Sequence, residues 1–196
     1  MRLMAQHGRD TVPELLKRGV QSVFEASVHF HPVYGLSLNI EGIDLSATLG
    51  EMEQRKREAL KQLTREGLIG ANQALDLAPV VQRIALIGSP GTAGWSDFTR
   101  HLLDNEAGFA FQIHEIHSQV QGPSAVSSLV KAIALAADLP LDAICIIRGG
   151  GSPIDLDVFN QYELGKAIGQ CPKPVLTGIG HETDLHVADI CAHLNK

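Results

Sequence analysis

From residue 83 onward the chain repeats one arrangement four times. A short apolar run is followed by a loop rich in Gly, Ser or polar residues, and then by apolar positions at helical spacing. The apolar runs predict strands over 84–87, 109–116, 143–147 and 174–179. The spacing predicts helices over 95–106, 124–137, 159–170 and 185–194. Four β-then-α units in succession constrain the fold strongly. Hairpin turns cannot join them, so they imply an α/β domain: a parallel sheet with right-handed crossovers and helices on its faces.

In an open parallel sheet, ligands bind beyond the carboxyl ends of the strands. Four loops are therefore expected at one edge: residues 88–94, 117–123, 148–152 and 180–184. The third is the most distinctive, with Arg148, Gly149, Gly150, Gly151 and Ser152 after the apolar run 144–147. Three consecutive glycines give a backbone without Cβ atoms, able to adopt φ > 0 and to approach a ligand closely. Their N–H groups, with the N-terminus of the next helix, suit a phosphate oxygen. Arg148 adds a planar, permanently charged fork of donors. The same residues also satisfy a plainer reading, a tight strand-to-helix turn beside a surface charge. The first loop, with Ser89 and Thr92 among its glycines, is similar to a phosphate-binding turn but lacks the lysine of a P-loop and does not spell G-x-G-x-x-G. Asp97 lies about one turn into the following helix. It can face the cleft or simply favour the helix dipole.

The fourth loop carries His181, Glu182 and Asp184. A histidine can move protons near neutral pH. Asp184 can orient it, bind a metal or cap the last helix. Asp189 could join them in a metal site, but the spacing does not define that geometry. Together, an arginine, a glycine cradle, a histidine and two aspartates suit attack on a phosphoester. A sugar-phosphate enzyme would use the same residue types.

Upstream, residues 1–17 read as a loop. Residues 19–31 and 34–43 alternate apolar and polar, with His31, Pro32 and Val33 as the turn between two strands. A helix is expected over 51–66, with Thr48 as cap, Glu51 completing a capping box and Gly67 ending it. Residues 68–80 form an irregular connection, and Ala78-Pro79 marks a domain boundary. The net charge of −6 argues mildly against a dedicated nucleic-acid-binding domain, although a local cationic site can sit on an acidic body. Three scattered cysteines without C-x-x-C suggest reduced thiols in a cytoplasm. The start lacks an apolar signal region, and no run approaches the ~20 apolar residues that cross a bilayer.

The motifs resemble those of the exodeoxyribonuclease VII large-subunit family. The resemblance rests on "RGGGS" after an apolar strand, then "DL" and "FN", then "GIGHETD". "RIALIGSPGTAGWSDF" is similar to that family's first strand, loop and helix, and "QVQG" to its second sheet-edge loop. "VHFHPVYGLSLNIEGIDLSATLGEME" resembles the last strands of an OB-fold and the linker after it. The resemblance runs from about Gly19 to the C-terminus. It implies an exonuclease that degrades single-stranded DNA from its ends to oligonucleotides. It implies catalytic roles for Asp97, Arg148, His181 and Asp184, and a phosphate path along Ser89, Thr92, Gly149, Gly150, Gly151 and Ser152. It leaves a need for Mg2+ open and requires no other cofactor. Small helical subunits, recruited through a coiled coil, are the implied protein partners, and no membrane is implied.

The expected organisation is a partial OB-fold over 1–47, a linker helix and connection over 48–80, and a nuclease domain over 81–196 that stops before the coiled coil. The family commonly has "EDLW" after RGGGS and acidic residues after "FN". Here Ile154, Asp155, Leu156 and Asp157, then Gln161 and Tyr162, stand instead, which affects secondary contacts. The competing readings are an enzyme for a small phosphorylated metabolite, and a fragment inactive without further domains.

Overall fold

A computed structural model describes residues 23–44, 46–180 and 185–195. The loop expected over 1–17, strand residues 19–22, His181 and Asp184 lie outside the described residues. The chain divides into two compact units, Met1–Gln54 and Arg55–Lys196.

In the first unit, β1 (Val23–His31) and β2 (Gly35–Asp44) form the expected antiparallel pair. Cross-strand partners share a face. The pairs Val28–Leu38 and Phe30–Leu36 therefore gather the alternating apolar side chains on one side.

Helix α1 (Ser46–Arg65) begins five residues before the expected start, which places Thr48 inside the helix and not at its cap. Its end matches expectation. Gly67 adopts φ 70°, its N–H bonds to the Thr64 carbonyl at 3.1 Å, and the Leu68 N–H bonds to the Leu63 carbonyl at 2.9 Å. This paired closure satisfies two of the last carbonyls, and Leu63 and Leu68 both join the main core.

The second unit is built on a five-stranded parallel sheet in the order β4-β3-β5-β6-β7. The strands are β3 (Arg83–Gly88), β4 (Gln112–His117), β5 (Ala143–Arg148), β6 (Val175–Ile179) and β7 (Leu194–Asn195). In β3, Ile84, Ala85, Leu86 and Ile87 are all buried, because a central parallel strand is covered on both faces. Successive side chains alternate between two cores. Ile84 and Leu86 meet Trp95 and Phe98 of α2 (Ala93–Leu103). Ala85 and Ile87 join the core that holds Leu129 and Ile133 of α3 (Ala125–Ala137). The same core receives Leu164 and Ile168 of α5 (Tyr162–Gly169) and Val187 and Cys191 of α6 (Val187–Cys191). A parallel α/β sheet with helices on both faces, preceded by an antiparallel strand pair, is the fold class expected from the patterning.

Several element boundaries differ from expectation. Strand β4 starts at Gln112, not at residue 109. The Asn105 side chain accepts from the Phe109 N–H at 2.9 Å and donates to its carbonyl at 2.8 Å, so Phe109 stays in the turn. Helix α2 runs over Ala93–Leu103, starting two residues and ending three residues earlier than predicted. The helix predicted over 159–170 is broken at Gln161, whose extended backbone separates a 3-10 turn (Asp157–Asn160) from α5. The Gln161 side chain donates to the Asp157 carbonyl and carboxylate, at 3.0 Å each. A short α4 (Pro153–Leu156), unexpected from the sequence, precedes that turn. The helix predicted over 185–194 shrinks to α6, because the His193 N–H bonds to the Val175 carbonyl at 2.8 Å and draws the chain into the sheet as β7.

Asn72 ties the irregular segment before β3 to the sheet. Fully buried, it donates to the carbonyls of Ile168, Cys171 and Lys173 at 3.2, 3.2 and 2.8 Å and accepts from the Val175 N–H at 2.8 Å. The cysteines Cys145, Cys171 and Cys191 are free and buried. Burial alone pushes the Cys145 thiol up to about 12 and the Cys191 thiol up to about 11. Among the described residues, no helix is long and apolar enough to cross a membrane.

Candidate active site

A cleft of about 520 Å³ opens at the carboxyl ends of β5 and β6. One wall is α2, contributing Gly94, Asp97, Phe98, Arg100 and His101. The other is formed where the two strands end, at Arg148 and Gly149, and at Ile179 and Gly180. The topology creates this opening. Strands β3 and β5 are neighbours, so the loop leaving β3 and the loop leaving β5 meet side by side.

Two glycines permit that meeting. A Cβ on Gly94 would lie 2.8 Å from the Gly149 nitrogen, and one on Gly88 would lie 2.9 Å from the Ile147 carbonyl oxygen. Both distances are shorter than a real Cβ tolerates against backbone. The start of α2 therefore rests directly on the glycine loop after β5.

Arg148 is the last residue of β5 and curls back over its own loop. Its Nη1 donates to the carbonyls of Gly149 at 3.1 Å and Gly150 at 2.7 Å, and its Nη2 to Gln121 Oε1 at 3.3 Å. Gln121 belongs to the second sheet-edge loop, so two of the expected loops converge on this guanidinium. Its Nε is buried without an acceptor among the described residues. The three glycines do not adopt positive φ. Their value here is the missing Cβ: on Gly151 that atom would lie 2.9 Å from Arg148 Nη2.

Ser152 caps α4. Its Oγ accepts from the Asp155 N–H at 3.2 Å and donates to the Asp155 carboxylate at 2.9 Å. Thr92 stands at the N-cap of α2, but its hydroxyl donates to the Ser89 carbonyl at 2.8 Å and leaves the helix amides uncapped.

The structure thus brings Asp97, Arg148 and Gly149 to one cleft. Ser89, Thr92, Gly150, Gly151 and Ser152 lie in the adjoining loops, outside its described lining. The chain passes from Gly180 on the cleft wall directly into residues 181–184. Gly180 is pinned there by an N–H bond to the Arg148 carbonyl at 3.0 Å and adopts φ 66°. Beyond that segment, the Leu185 carbonyl accepts from Lys56 Nζ, and the Asp189 carboxylate accepts from the His186 N–H at 2.9 Å and from Thr177 Oγ1 at 2.6 Å. Among the described residues, no group of three or more His, Cys, Asp or Glu is arranged to hold a metal ion.

Arg100 and His101 were not singled out from the sequence, yet both line the cleft. Their signal was their spacing: positions 97, 100 and 101 share one helix face. Arg100 Nη2 donates to Asp97 Oδ1 at 2.9 Å, across a pair whose side chains are 64% and 62% exposed.

Fold and cleft together define a parallel α/β domain with an arginine-and-carboxylate site at the carboxyl edge of its sheet. Comparison with known proteins gives the family. The model of "Exonuclease VII, large subunit" matches residues 68–196, and the chain belongs to that family. The exodeoxyribonuclease 7 large subunit of Deinococcus radiodurans is 36% identical over 183 residues, covering 91% of this chain and 44% of the relative. That of Thermotoga maritima is 32% identical over 192 residues, covering 96% and 47%. That of Pseudomonas putida is 37% identical over 136 residues, covering 69% and 29%. The chain spans less than half the length of these curated relatives.

Proposed function

We propose that this chain is the catalytic part of an exonuclease that hydrolyses phosphodiester bonds of single-stranded DNA from the ends. The observation carrying this reading is the placement of Arg148 and Asp97 in one cleft at the sheet edge, in a chain of the exonuclease VII large-subunit family.

The reaction adds water across a P–O ester bond. One P–O bond forms, one breaks, the attacking water loses a proton and the leaving oxygen gains one. Arg148 suits the charge that builds on the phosphoryl oxygens, because its fork can meet two of them at once. The bonds to the Gly149 and Gly150 carbonyls keep the fork in place before substrate arrives, which reduces reorganisation. His181 carries a proton, with Asp184 orienting it, and Asp97 faces the same cleft as a further carboxylate.

Family membership supports exonuclease VII small subunits as the protein partners, and the antiparallel pair β1–β2 is read as the closing strands of an OB-fold. The buried free cysteines fit a cytoplasmic location.

The test is digestion of an end-labelled single-stranded oligonucleotide, with and without small subunit and EDTA. Short products that vanish in Arg148→Ala and His181→Ala are the expected result. Normal cutting by both variants would overturn the assignment. Tight binding of a sugar phosphate with no response to DNA would instead favour a metabolite enzyme.

A further inference from the structure

We infer that Asp189 is a positioning residue for the proposed reaction: its carboxylate ties β6, whose end forms part of the cleft wall, to the start of α6. This rests on the nuclease reading and deepens it. Asp189 is 5% exposed. Its Oδ1 accepts from Thr177 Oγ1 of β6 at 2.6 Å. Its Oδ2 accepts from the His186 N–H at 2.9 Å and lies 3.0 Å from His186 Nδ1. Both oxygens are thus satisfied, which is what a carboxylate needs to stay buried.

Helix capping does not account for all of this. The contacts between His186 and Asp189 close the start of α6 and stay within one turn of chain. The Thr177 bond reaches a different element. Thr177 is 4% exposed and shares a strand face with Val175 and Ile179, both in the main core. A valine has the shape for that apolar row, yet a hydroxyl stands there and donates to Asp189.

The tie sits next to the cleft. Ile179 lines it, and Gly180 follows with its N–H on the Arg148 carbonyl. At the other end, the His186 ring meets Phe159 edge-on at 6.2 Å, and the Val187 N–H donates to Asn160 Oδ1 at 3.3 Å. One carboxylate therefore joins the two ends of the stretch whose sequence carries His181 and Asp184. A misplacement of about 1 Å, even one that starts away from the reacting atoms, can cost about a hundredfold in rate.

The full chain is compared with Thr177→Val, which keeps the side-chain shape and removes the donor, and with Thr177→Ser, which keeps the hydroxyl. His186→Phe, which keeps a ring against Phe159 and loses Nδ1, is the second probe. The kcat and KM for an end-labelled single-stranded oligonucleotide are measured at a temperature where melting curves show the proteins folded.

The expected result is a kcat about tenfold to a hundredfold lower in Thr177→Val, with KM within about twofold of wild type and kcat recovered in Thr177→Ser. His186→Phe should lower kcat in the same way. Wild-type kcat in folded Thr177→Val and His186→Phe would overturn the inference and leave Asp189 as a helix cap. Equal losses in Thr177→Val and Thr177→Ser would overturn it too, because the hydroxyl would then be immaterial. Wild-type protein that cuts no single-stranded DNA would overturn the nuclease reading itself, and the positioning role with it.

Discussion

A Cβ on Gly151 would stand 2.9 Å from Nη2 of Arg148. The atom it meets is the far end of a flexible side chain, so the arginine can yield without disturbing the fold. Gly151→Ala is therefore expected to weaken single-stranded DNA binding or cleavage about tenfold, the cost of misplacing a charge-assisted bond. Stability should change by less than about 1 kcal/mol. Paired affinity and thermal-melting measurements check this. A normal affinity would mean that Arg148 does not act from its observed position.

Gly94 behaves differently, because its Cβ would meet backbone: the Gly149 nitrogen at 2.8 Å and its Cα at 3.1 Å. Neither side can swing away, so Gly94→Ala should cost about 1–3 kcal/mol through overpacking. The start of α2 should also separate from the glycine loop. Denaturant unfolding reads the first effect, and loss of nuclease activity in still-folded protein reads the second.

Asn72 makes four bonds, three of them buried, to backbone groups 96 to 103 residues away. Asn72→Ala would leave the Val175 N–H and three carbonyls without that partner. A buried group left unsatisfied costs about 1–3 kcal/mol, so a loss of roughly 3 kcal/mol is expected. Urea titration tests it. A loss below about 1 kcal/mol would show that water or rearranged backbone replaces the amide.

Asp142 supplies an acid-sensitive contact at the foot of the sheet. Arg83 Nη2 donates to its carboxylate at 2.7 Å, and the N–H groups of Arg83 and Gln82 donate at 2.8 and 3.0 Å. First the guanidinium, then these two amides, hold the carboxyl well below the usual carboxylate range. A carboxyl with a lowered folded pKa stabilises the fold above its unfolded value, about pH 4, and loses that contribution as the pH falls further. Asp142→Asn should therefore lower stability at neutral pH and flatten its decline below pH 4. Melting temperatures measured from pH 7 to pH 2 in both proteins decide it, and parallel curves would contradict the expectation.

Much of the sheet was legible because it rests on local patterning. The apolar runs 84–87 and 143–147 read as buried strands from composition alone, and their covered faces explain why. The edge strand β4 was harder to delimit. Only Ile116 in it is buried and Ile113 half-buried, and an Asn105 side chain decides where it begins. Strand β7 was not legible at all. Two residues become a strand only because β6 offers unpaired backbone groups beside them.

The cleft divides in the same way. Arg148 and Asp97 stood out because a charged residue beside a glycine loop, and a carboxylate one turn into a helix, are local signals. Arg100 and His101 carried only a spacing on one helix face, which many solvated helices share. Their place in the cleft depends on which side of α2 turns toward β5.

The order of apolar runs, loops and helical segments by itself determined a parallel α/β fold. It also predicted that the loops leaving the strands gather at one edge, because alternation and sheet direction are set by neighbours along the chain. Only the tertiary structure decided that Gly94 packs on Gly149, that Arg148 folds over Gly151 toward Gln121, and that Asn72 closes the sheet's far side. These contacts join residues that sequence spacing leaves unrelated. Their geometry is set by how helices and strands pack to fill two cores.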